Sequence, residues 1–410
     1  MKHALVVGEG LTALAAAQRL RAAGVCVTRV SGSGRPGSAD AGLELVGERH
    51  AALDWLAGSV EVPVQLSFTP LRRVAVARGS GRSRIVPLAS SGLLGIGRGA
   101  ALAELWRRAR IGGLRTWFTP AVDPGAPERG VRLDDRSVAD FARVYVGRRG
   151  VQSLLAAILE AGLGLDDRQL SRLLLFLRLD ERARLSLVRV RGIERLEAAL
   201  ARENPPLGAA TLTAVAPGGR GATLSDGASL EADAVLLCGA PATLRKWLPA
   251  LPQRADSLLS RMPEGVSWTV RMDLDRPISV PAGLWVCPRA AGGPLAGVAE
   301  LGARTIVARG RPGLAGAGPE DAKRIGELLV RAASRALPEL GAAHVETRVQ
   351  RAERSSFAPG HWRAVAAIRD EEARWLPRQR VALAGGWQVS PDAEGRALAG
   401  LRAAERLLAL

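Results

Sequence analysis

The pattern of apolar and polar residues at the start of the chain predicts a strand, a turn, a helix and a second strand. Residues 4–7 form a short apolar run typical of a buried strand, and residues 25–30 form another. Between them, residues 14–23 are rich in alanine and leucine with polar residues on one side, which indicates an amphipathic helix that ends at Gly24. This order predicts a βαβ unit in which residues 8–13 are the first turn.

The turn between strand and helix reads Gly-Glu-Gly-Leu-Thr-Ala, the spacing of a dinucleotide-binding turn. Gly8 allows a tight turn, Gly10 lets the backbone approach a pyrophosphate, and Ala13 lets the helix pack closely on the strand. The amides of Leu11 and Thr12 then lie at a helix N-terminus, which favours an anion. A purely structural glycine turn is the alternative, and the surrounding strands and helix favour the nucleotide site.

Farther along the chain, the pattern predicts a mixture of helices and strands. Predicted helices cover residues 50–58, 137–145, 151–161, 169–179, 194–203, 241–248, 319–337 and 394–410. Predicted strands cover residues 74–77, 83–87, 210–215, 222–224, 234–238, 266–274, 284–286, 295–300, 305–309, 345–354 and 380–384. The first two strands are expected to pair as a hairpin, the next three to form a meander, and those from residue 266 to residue 309 to form a mostly antiparallel sheet.

The formal net charge of +17 does not indicate a nucleic-acid partner. Nearly all the positive charge is arginine, since Lys2, Lys246 and Lys323 are the only lysines, and Asn204 is the only asparagine. This bias is typical of a GC-rich genome. The arginines are also spread along the whole chain without a basic tail or an aromatic-rich basic patch, so we expect no nucleic-acid binding.

Residues 90–120 interleave leucine, tryptophan and arginine, which suits two interpretations. One is an interfacial helix resting on anionic lipid, and therefore a peripheral membrane contact. The other is an ordinary helix over a core with its arginines turned outward. Six glycines interrupt the segment, and this favours the second interpretation.

The remaining composition points to a cytoplasmic protein without a metal site. Cys26, Cys238 and Cys287 are far apart and odd in number, which indicates a reducing compartment. The four histidines show no metal-ligand spacing. The chain begins with a strand rather than a signal peptide, and no apolar run is long enough to span a membrane.

Five stretches of the chain resemble segments of one known family. They are residues 6–14; residues 137–147 with 161–163 and 170–171; residues 191–196; residues 232–236; and residues 382–387 with 394–395 and 403–404. The family is the flavin-containing amine oxidase superfamily, within which protoporphyrinogen oxidases and carotenoid-type (phytoene) desaturases look most similar. The resemblance covers nearly the whole chain and implies a non-covalently bound FAD.

The resemblance also implies an α/β fold with a discontinuous Rossmann-like FAD/NAD(P)-binding domain and an α+β substrate or cap domain. The nucleotide-binding domain would comprise residues 1–65, 186–263 and 375–410. Residues 66–185 would form a helical cap region that could face a membrane, and residues 264–374 an antiparallel-sheet substrate domain.

Several positions depart from the family pattern where the resemblance implies contacts to FAD. Ser31 stands where the family has a glutamate that binds the ribose, and Gly37-Ser38 stands where a Gly-Gly pair wraps the pyrophosphate. Arg35 fits the basic residue that precedes that pair. A serine hydroxyl lacks the charge and the bidentate geometry of the glutamate.

The terminal motif shows one further departure. The resemblance places Gly385, Trp387 and Glu394 at the cofactor, and the backbone of Val215 near the adenine. Gly386 replaces the aspartate of the family motif. Each departure removes a polar or close-packed contact, so the FAD site is expected to be weak or lost.

The leading hypothesis is an FAD-dependent oxidoreductase that takes hydride from a hydrophobic or amine-bearing small molecule. By analogy, His361, Trp362 and Trp387 would line the cavity, although a core role is the commoner one for tryptophan. The alternative is a non-catalytic relative that keeps the fold, has lost tight FAD binding and acts as a binding or partner subunit. A nicotinamide-dependent dehydrogenase would explain the first turn but neither the meander nor the closing turn at Gly385.

Overall fold

The computed structural model describes residues 1–32, 44–47, 49–78, 82–88, 123, 125–145, 149–179, 185–248, 251–314, 318–343 and 345–410. These residues form two large sheets, one small sheet and surrounding helices. The α/β fold class expected from the sequence is thereby confirmed.

Strands and helices of the described residues are numbered in chain order. The strands are β1 (His3–Gly8), β2 (Cys26–Ser31), β3 (Glu44–Val46), β4 (Ser67–Pro70), β5 (Arg73–Ala77), β6 (Ser83–Pro87), β7 (Val188–Arg191), β8 (Pro206–Val215), β9 (Gly221–Leu224), β10 (Ser229–Glu231), β11 (Ala234–Cys238), β12 (Glu264–Leu274), β13 (Leu284–Val286), β14 (Leu295–Gly302), β15 (Thr305–Gly310), β16 (Val345–Ser355) and β17 (Val381–Ala384). The helices are α1 (Gly10–Ala22), α2 (Ala51–Ser59), α3 (Val138–Tyr145), α4 (Arg149–Leu163), α5 (Arg172–Phe176), α6 (Ile193–Glu203), α7 (Pro241–Trp247), α8 (Gln253–Ser260), α9 (Ala322–Ala336), α10 (His361–Gln379) and α11 (Ala393–Leu408).

The first large sheet contains the predicted βαβ unit. Its order is β10-β9-β8-β2-β1-β11-β17, and the strands from β8 to β17 run parallel to one another. Strands β1 and β11 are buried along nearly their whole length, as expected when helices cover both faces of a parallel sheet. Strands β9 and β10 continue antiparallel from β8, so a meander forms with β10 as its third strand. The prediction that residues 234–238 belong to the meander is wrong, because β11 lies between β1 and β17 in the parallel part of the sheet.

The far end of the chain returns to this sheet. Strand β17 pairs with β11, so residues 381–384 and residues 3–8 belong to one sheet. Helix α11 packs along α1, and a Cβ on Gly400 would clash with the carbonyl oxygen of Thr12. The glycine therefore permits the close helix–helix approach.

Helix α10 is the main element that sequence reasoning missed. Its many charged residues interrupt the apolar pattern, and Pro377 lies inside it. Only a narrow stripe, including Val365, Ile368 and Trp375, packs into the core of the first sheet. The predicted domain boundary at residue 374 falls within this helix, and the domain division stays a prediction.

The second large sheet is mostly antiparallel, as predicted. Its order is β16-β12-β15-β14-β13-β5-β6, with a single parallel pair, β13 and β5, in the described part of the chain. The predicted hairpin of β5 and β6 forms and extends this sheet at one edge. Strands β3, β7 and β4 make the small sheet beside α2 and α6.

Gly8 ends β1 where the chain passes very close to β11. Its φ is +130°, and a Cβ at this position would fall well inside van der Waals distance of the Cys238 carbonyl oxygen. Gly24 offers a comparison, because its φ is +80° and a Cβ there would meet nothing within 4 Å.

We expect Gly8→Ala to lower the free energy of unfolding by more than about 3 kcal/mol, since it combines a disfavoured φ with a backbone clash. Gly24→Ala carries only the disfavoured φ and should lower it by about 1 kcal/mol. Denaturant unfolding followed by circular dichroism measures both. Equal losses in the two variants would show that the close approach to β11 is not a constraint.

Candidate cofactor site

The parallel strands of the first sheet bring several predicted site residues to one edge. Val7 lies beside Val30, so Gly8 and Ser31 follow at the same level. Gly8 lies beside Cys238, which lies beside Ala384, so Gly385 follows at the same edge. In open α/β sheets, ligands bind outside this carboxyl edge.

Helix α1 begins at that edge, with open space beside its first residue. Gly10 has a φ of +70°, and a Cβ there would meet nothing within 4 Å, so open space adjoins the turn. Ala13 is fully buried against the sheet and Leu11 almost fully. Thr12 lines a cleft in front of the helix. Val215 ends β8, four residues beyond the residue that pairs with Ser31.

The cleft lies between the first sheet and strand β16 of the second sheet and has a volume of about 190 Å³. Its lining residues are Glu9, Thr12, Cys238, Gly239, Ala240, Ala352, Glu353, Ser355, Phe357, Gly385, Gly386, Trp387, Pro391 and Arg396. The structure thus brings the first turn and the terminal motif to one space.

A carboxylate of the chain itself lies at the start of α1. Glu197, on α6, accepts a hydrogen bond from the Leu11 amide. Burial raises the pKa of Glu197 to about 7; Arg396 opposes this shift, while Glu44 and Glu194 add to it. The helix N-terminus that favours a phosphate therefore already holds an internal acid.

Trp247 lies across the same edge of the sheet. A Cβ on Gly32, directly after β2, would come within 2.6 Å of its Cη2 and Cζ2 atoms. A Cβ on Gly239, directly after β11, would come within 3.1 Å of its Cζ3 atom. The indole is only 6% exposed. Two glycines therefore make room for one ring.

Trp387 occupies the space beside the terminal motif. Its Nε1 donates to the Gly239 carbonyl oxygen at 3.0 Å, and a Cβ on Gly385 would clash with the indole. A Cβ on Gly386 would lie 3.0 Å from Cγ of Arg396. Gly386 therefore provides no carboxylate, and the aliphatic part of the Arg396 side chain packs over it.

His361 is buried behind Trp387 rather than in the cleft. Its Nε2 lies 2.6 Å from the Trp387 carbonyl oxygen, and burial lowers the pKa of His361 to about 4. The imidazole is therefore neutral at physiological pH. Trp362 is fully buried in the core, which confirms the structural interpretation for that residue.

Glu394 caps the neighbouring helix α2. Its two carboxylate oxygens accept from the amides of Ala52 and Leu53 at 2.9 and 3.0 Å and so cap the N-terminus of α2. Burial raises the pKa of Glu394, and these two hydrogen bonds oppose the shift. Its predicted contact with the cofactor stays a prediction.

A buried ionic network fixes the start of α11. Asp392 caps this helix by accepting from the Gly395 amide at 2.8 Å and also pairs with Arg178. Arg396 pairs with Glu44 at 2.5 Å. An aspartate just before a helix is a local pattern that predicts a cap. No local pattern predicts its ion pair with Arg178, because that residue lies far away in the chain.

Three carboxylates outside the cleft come close together, on Glu160, Asp166 and Asp167, with oxygens within 4.8 Å of one another. Arg289 pairs with these carboxylates, and Arg311 lies 2.9 Å from Glu160. Burial, the largest effect, raises the pKa of Asp167 to about 6. Within the described residues, this is the group that could hold a cation, and its two guanidinium partners already balance much of the charge.

Some predicted features lie outside the described residues. They are Arg35, Gly37 and Ser38, as well as the arginine-rich segment 90–120 with its two interpretations. Among the residues that the structure describes, no helix combines the length and the apolar character needed to cross a membrane.

Solved structures with the same fold cover nearly the whole chain. Cyclohexylamine oxidase from Brevibacterium oxydans IH-35A has a TM-score of 0.67 at 18% identity, covering 99% of this chain and 98% of that one. Putrescine oxidase bound to putrescine has 0.67 at 16%, covering 100% and 99%. A candidate protoporphyrinogen oxidase from Exiguobacterium sp. 255-15 has 0.70 at 16%, covering 100% and 99%.

No protein-family model matches the sequence, and no curated protein matches it significantly. At these low identities, the structural similarity shows the fold. The chain has the fold of amine oxidases and of the protoporphyrinogen oxidase-like protein, and the resemblance drawn from the sequence is confirmed at this level.

The raised pKa of Glu197 predicts a dependence of stability on pH. The unfolded chain releases this proton near pH 4.5 and the folded chain near pH 7. Between these values the folded state binds more protons, so the stabilising contribution is full below about pH 4.5 and is lost as the pH rises through 7. We expect a loss on the order of 1–2 kcal/mol, after allowance for partial solvent exposure.

Denaturant unfolding between pH 4 and pH 8 measures this dependence. Glu197→Gln should flatten it relative to the parent, whereas Glu327→Gln, which changes an exposed residue of α9, should leave it unchanged. If Glu197→Gln keeps the slope of the parent, the pKa of Glu197 is not raised.

Proposed function

We propose that the chain is an FAD-dependent oxidoreductase that removes hydride from a hydrophobic or amine-bearing small molecule. The observation that carries the proposal is the carboxyl edge of the first sheet, where Gly8, Gly10, Ser31 and Gly385 converge on the start of α1. The fold shared with amine oxidases over the whole chain supports it.

The pyrophosphate of FAD is the part that the described residues fit best. The first amides of α1 would bind it beside the open space at Gly10, with Glu197 giving up the Leu11 amide. The Ser31 hydroxyl would reach the ribose, and the backbone of Val215 the adenine. Trp387 and Gly385 would border the flavin. FAD supplies the electrophilic ring that accepts hydride.

The chain's own groups would exclude water and orient the substrate. Phe357 and Trp387 give the cleft apolar walls. His361 holds the backbone of Trp387 in place through a hydrogen bond and, being neutral, adds no charge behind the cleft. This fits a hydrophobic substrate, because removal of hydride needs orientation and desolvation more than a general base.

A second candidate function is a non-catalytic relative that acts as a binding or partner subunit. The observation that favours it is that Glu197, Trp247 and Trp387 lie at the helix start and along the sheet edge. The same edge lacks carboxylates at Ser31 and Gly386. These groups reduce the space and the contacts available for a dinucleotide.

The absorption spectrum of the purified full-length chain distinguishes the two functions. A flavin spectrum that persists through gel filtration supports the oxidoreductase. A colourless protein that takes up no FAD at millimolar concentration overturns it and supports the partner subunit.

We expect FAD to bind non-covalently and weakly, and restored carboxylates to tighten it. A hydrogen bond to a charged group contributes about 1.5–3 kcal/mol, so Ser31→Glu and Gly386→Asp should each raise FAD affinity roughly 10- to 100-fold. Flavin fluorescence titration of the apo-protein measures this. Low-nanomolar affinity in the parent, without gain in either variant, would show that other residues hold the cofactor.

A further inference from the structure

Trp247 lies where a dinucleotide would place its adenosine. The dinucleotide crosses the carboxyl edge of a parallel sheet, and its ribose contacts the end of the strand after the glycine turn. Here that strand is β2, and Gly32 follows it directly. The Trp247 ring lies against Gly32 on one side and against Gly239, after β11, on the other. Because β1 lies between β2 and β11, the ring spans the end of β1.

The position of the ring is built into the backbone. A Cβ on Gly32 would lie 2.6 Å from the two nearest ring atoms and 3.4 Å from the Cα of Gly8. Alanine at this position would force the indole or the β2 end to move. The indole is 6% exposed and belongs to the core of the first sheet, together with Leu244 and Leu259. It is therefore held firmly.

Two independent features of this edge disfavour the binding of adenosine. The ring reduces the space for adenine, and Ser31 offers the ribose no carboxylate. The turn at Gly10, in contrast, keeps open space in front of it. The phosphate position and the adenosine position therefore differ: space remains beside Gly10 in the first, although Glu197 already accepts from the Leu11 amide, whereas Trp247 fills the second.

We infer that Trp247 is the specificity-determining residue that excludes the adenosine half of a dinucleotide from the first sheet. This inference rests on the second candidate function proposed above, the partner subunit, because an edge that excludes adenosine also excludes FAD, which contains it. Removal of the ring should admit ligands that contain adenosine and should leave binding of the phosphate alone unchanged.

The experiment compares the parent with Trp247→Leu and Trp247→Phe in the full chain. Leucine keeps apolar packing without a ring, and phenylalanine keeps a smaller ring if leucine impairs folding. Trp55→Leu is the matched control, because Trp55 lies on α2 with 37% of its surface exposed. Isothermal titration calorimetry with ADP, AMP and inorganic pyrophosphate measures the affinities, and thermal unfolding verifies that each variant is folded.

We expect Trp247→Leu to bind ADP and AMP at least tenfold more tightly than the parent, with Trp247→Phe in between. Trp55→Leu should match the parent, and pyrophosphate should bind all four proteins alike. An equal gain for pyrophosphate, unchanged ADP affinity, or weaker ADP binding would each overturn the inference. In the last case Trp247 would hold adenine by stacking.

The outcomes of this experiment distinguish failure of the inference from failure of the proposed oxidoreductase function. A gain for ADP in Trp247→Leu, with no FAD taken up by the parent, supports the inference and overturns the oxidoreductase. FAD bound by the parent, with no change in Trp247→Leu, overturns the inference and leaves the oxidoreductase. Absence of ADP binding in every variant overturns both.

Discussion

The close packing of the two ends of the chain is the constraint on which the candidate site depends. Gly8 allows β1 to end against the carbonyl oxygen of Cys238, and Gly400 allows α11 to lie on α1 at Thr12. A Cβ at either position would clash with backbone, which cannot move aside as a flexible side chain can. These two contacts fix where α1 begins relative to the sheet edge. The residues that face the turn are therefore positioned relative to these two contacts.

Charged side chains cap helices and form ion pairs around this packing. Glu394 caps α2, while Asp392 caps α11 and pairs with Arg178. Elsewhere, buried Arg309 donates to the carbonyl oxygen of Ala161 at 3.0 Å. Many arginines thus satisfy buried carbonyls and carboxylates, as burial of a charge requires. The high positive charge of the chain is therefore partly internal, which agrees with its even spread along the sequence.

The sequence predicted the elements whose pattern is local. The glycine turn and the antiparallel pairs β5–β6 and β8–β9 follow from turn residues and period-two alternation, and all three form. Helix α10 was missed because charges interrupt its apolar stripe. The site was predicted in part. Gly8 and Gly385 lie at the same edge of the sheet, on strands separated by β11, but Trp247 and Glu197 lie in predicted helices without any signal of where their side chains point. Such placements arise only when distant segments pack together.

If Trp247 excludes adenosine as proposed, the filled edge would supply the contacts that a bound cofactor would otherwise make. A protein that binds a ligand in its native state is stabilised by that binding, and a groove left empty forgoes those contacts. In this chain Trp247 packs on Gly32 and Gly239, Trp387 bonds to Gly239, and Glu197 accepts from Leu11. These internal contacts supply packing and hydrogen bonds at the places where a dinucleotide would otherwise make them. An entering ligand must then displace contacts that already exist, and their free energy is subtracted from its affinity. On this proposal, Ser31 and Gly386, which lack a carboxylate, and the rings of Trp247 and Trp387 all lower the affinity for a dinucleotide, while the sheet and its helices keep their fold.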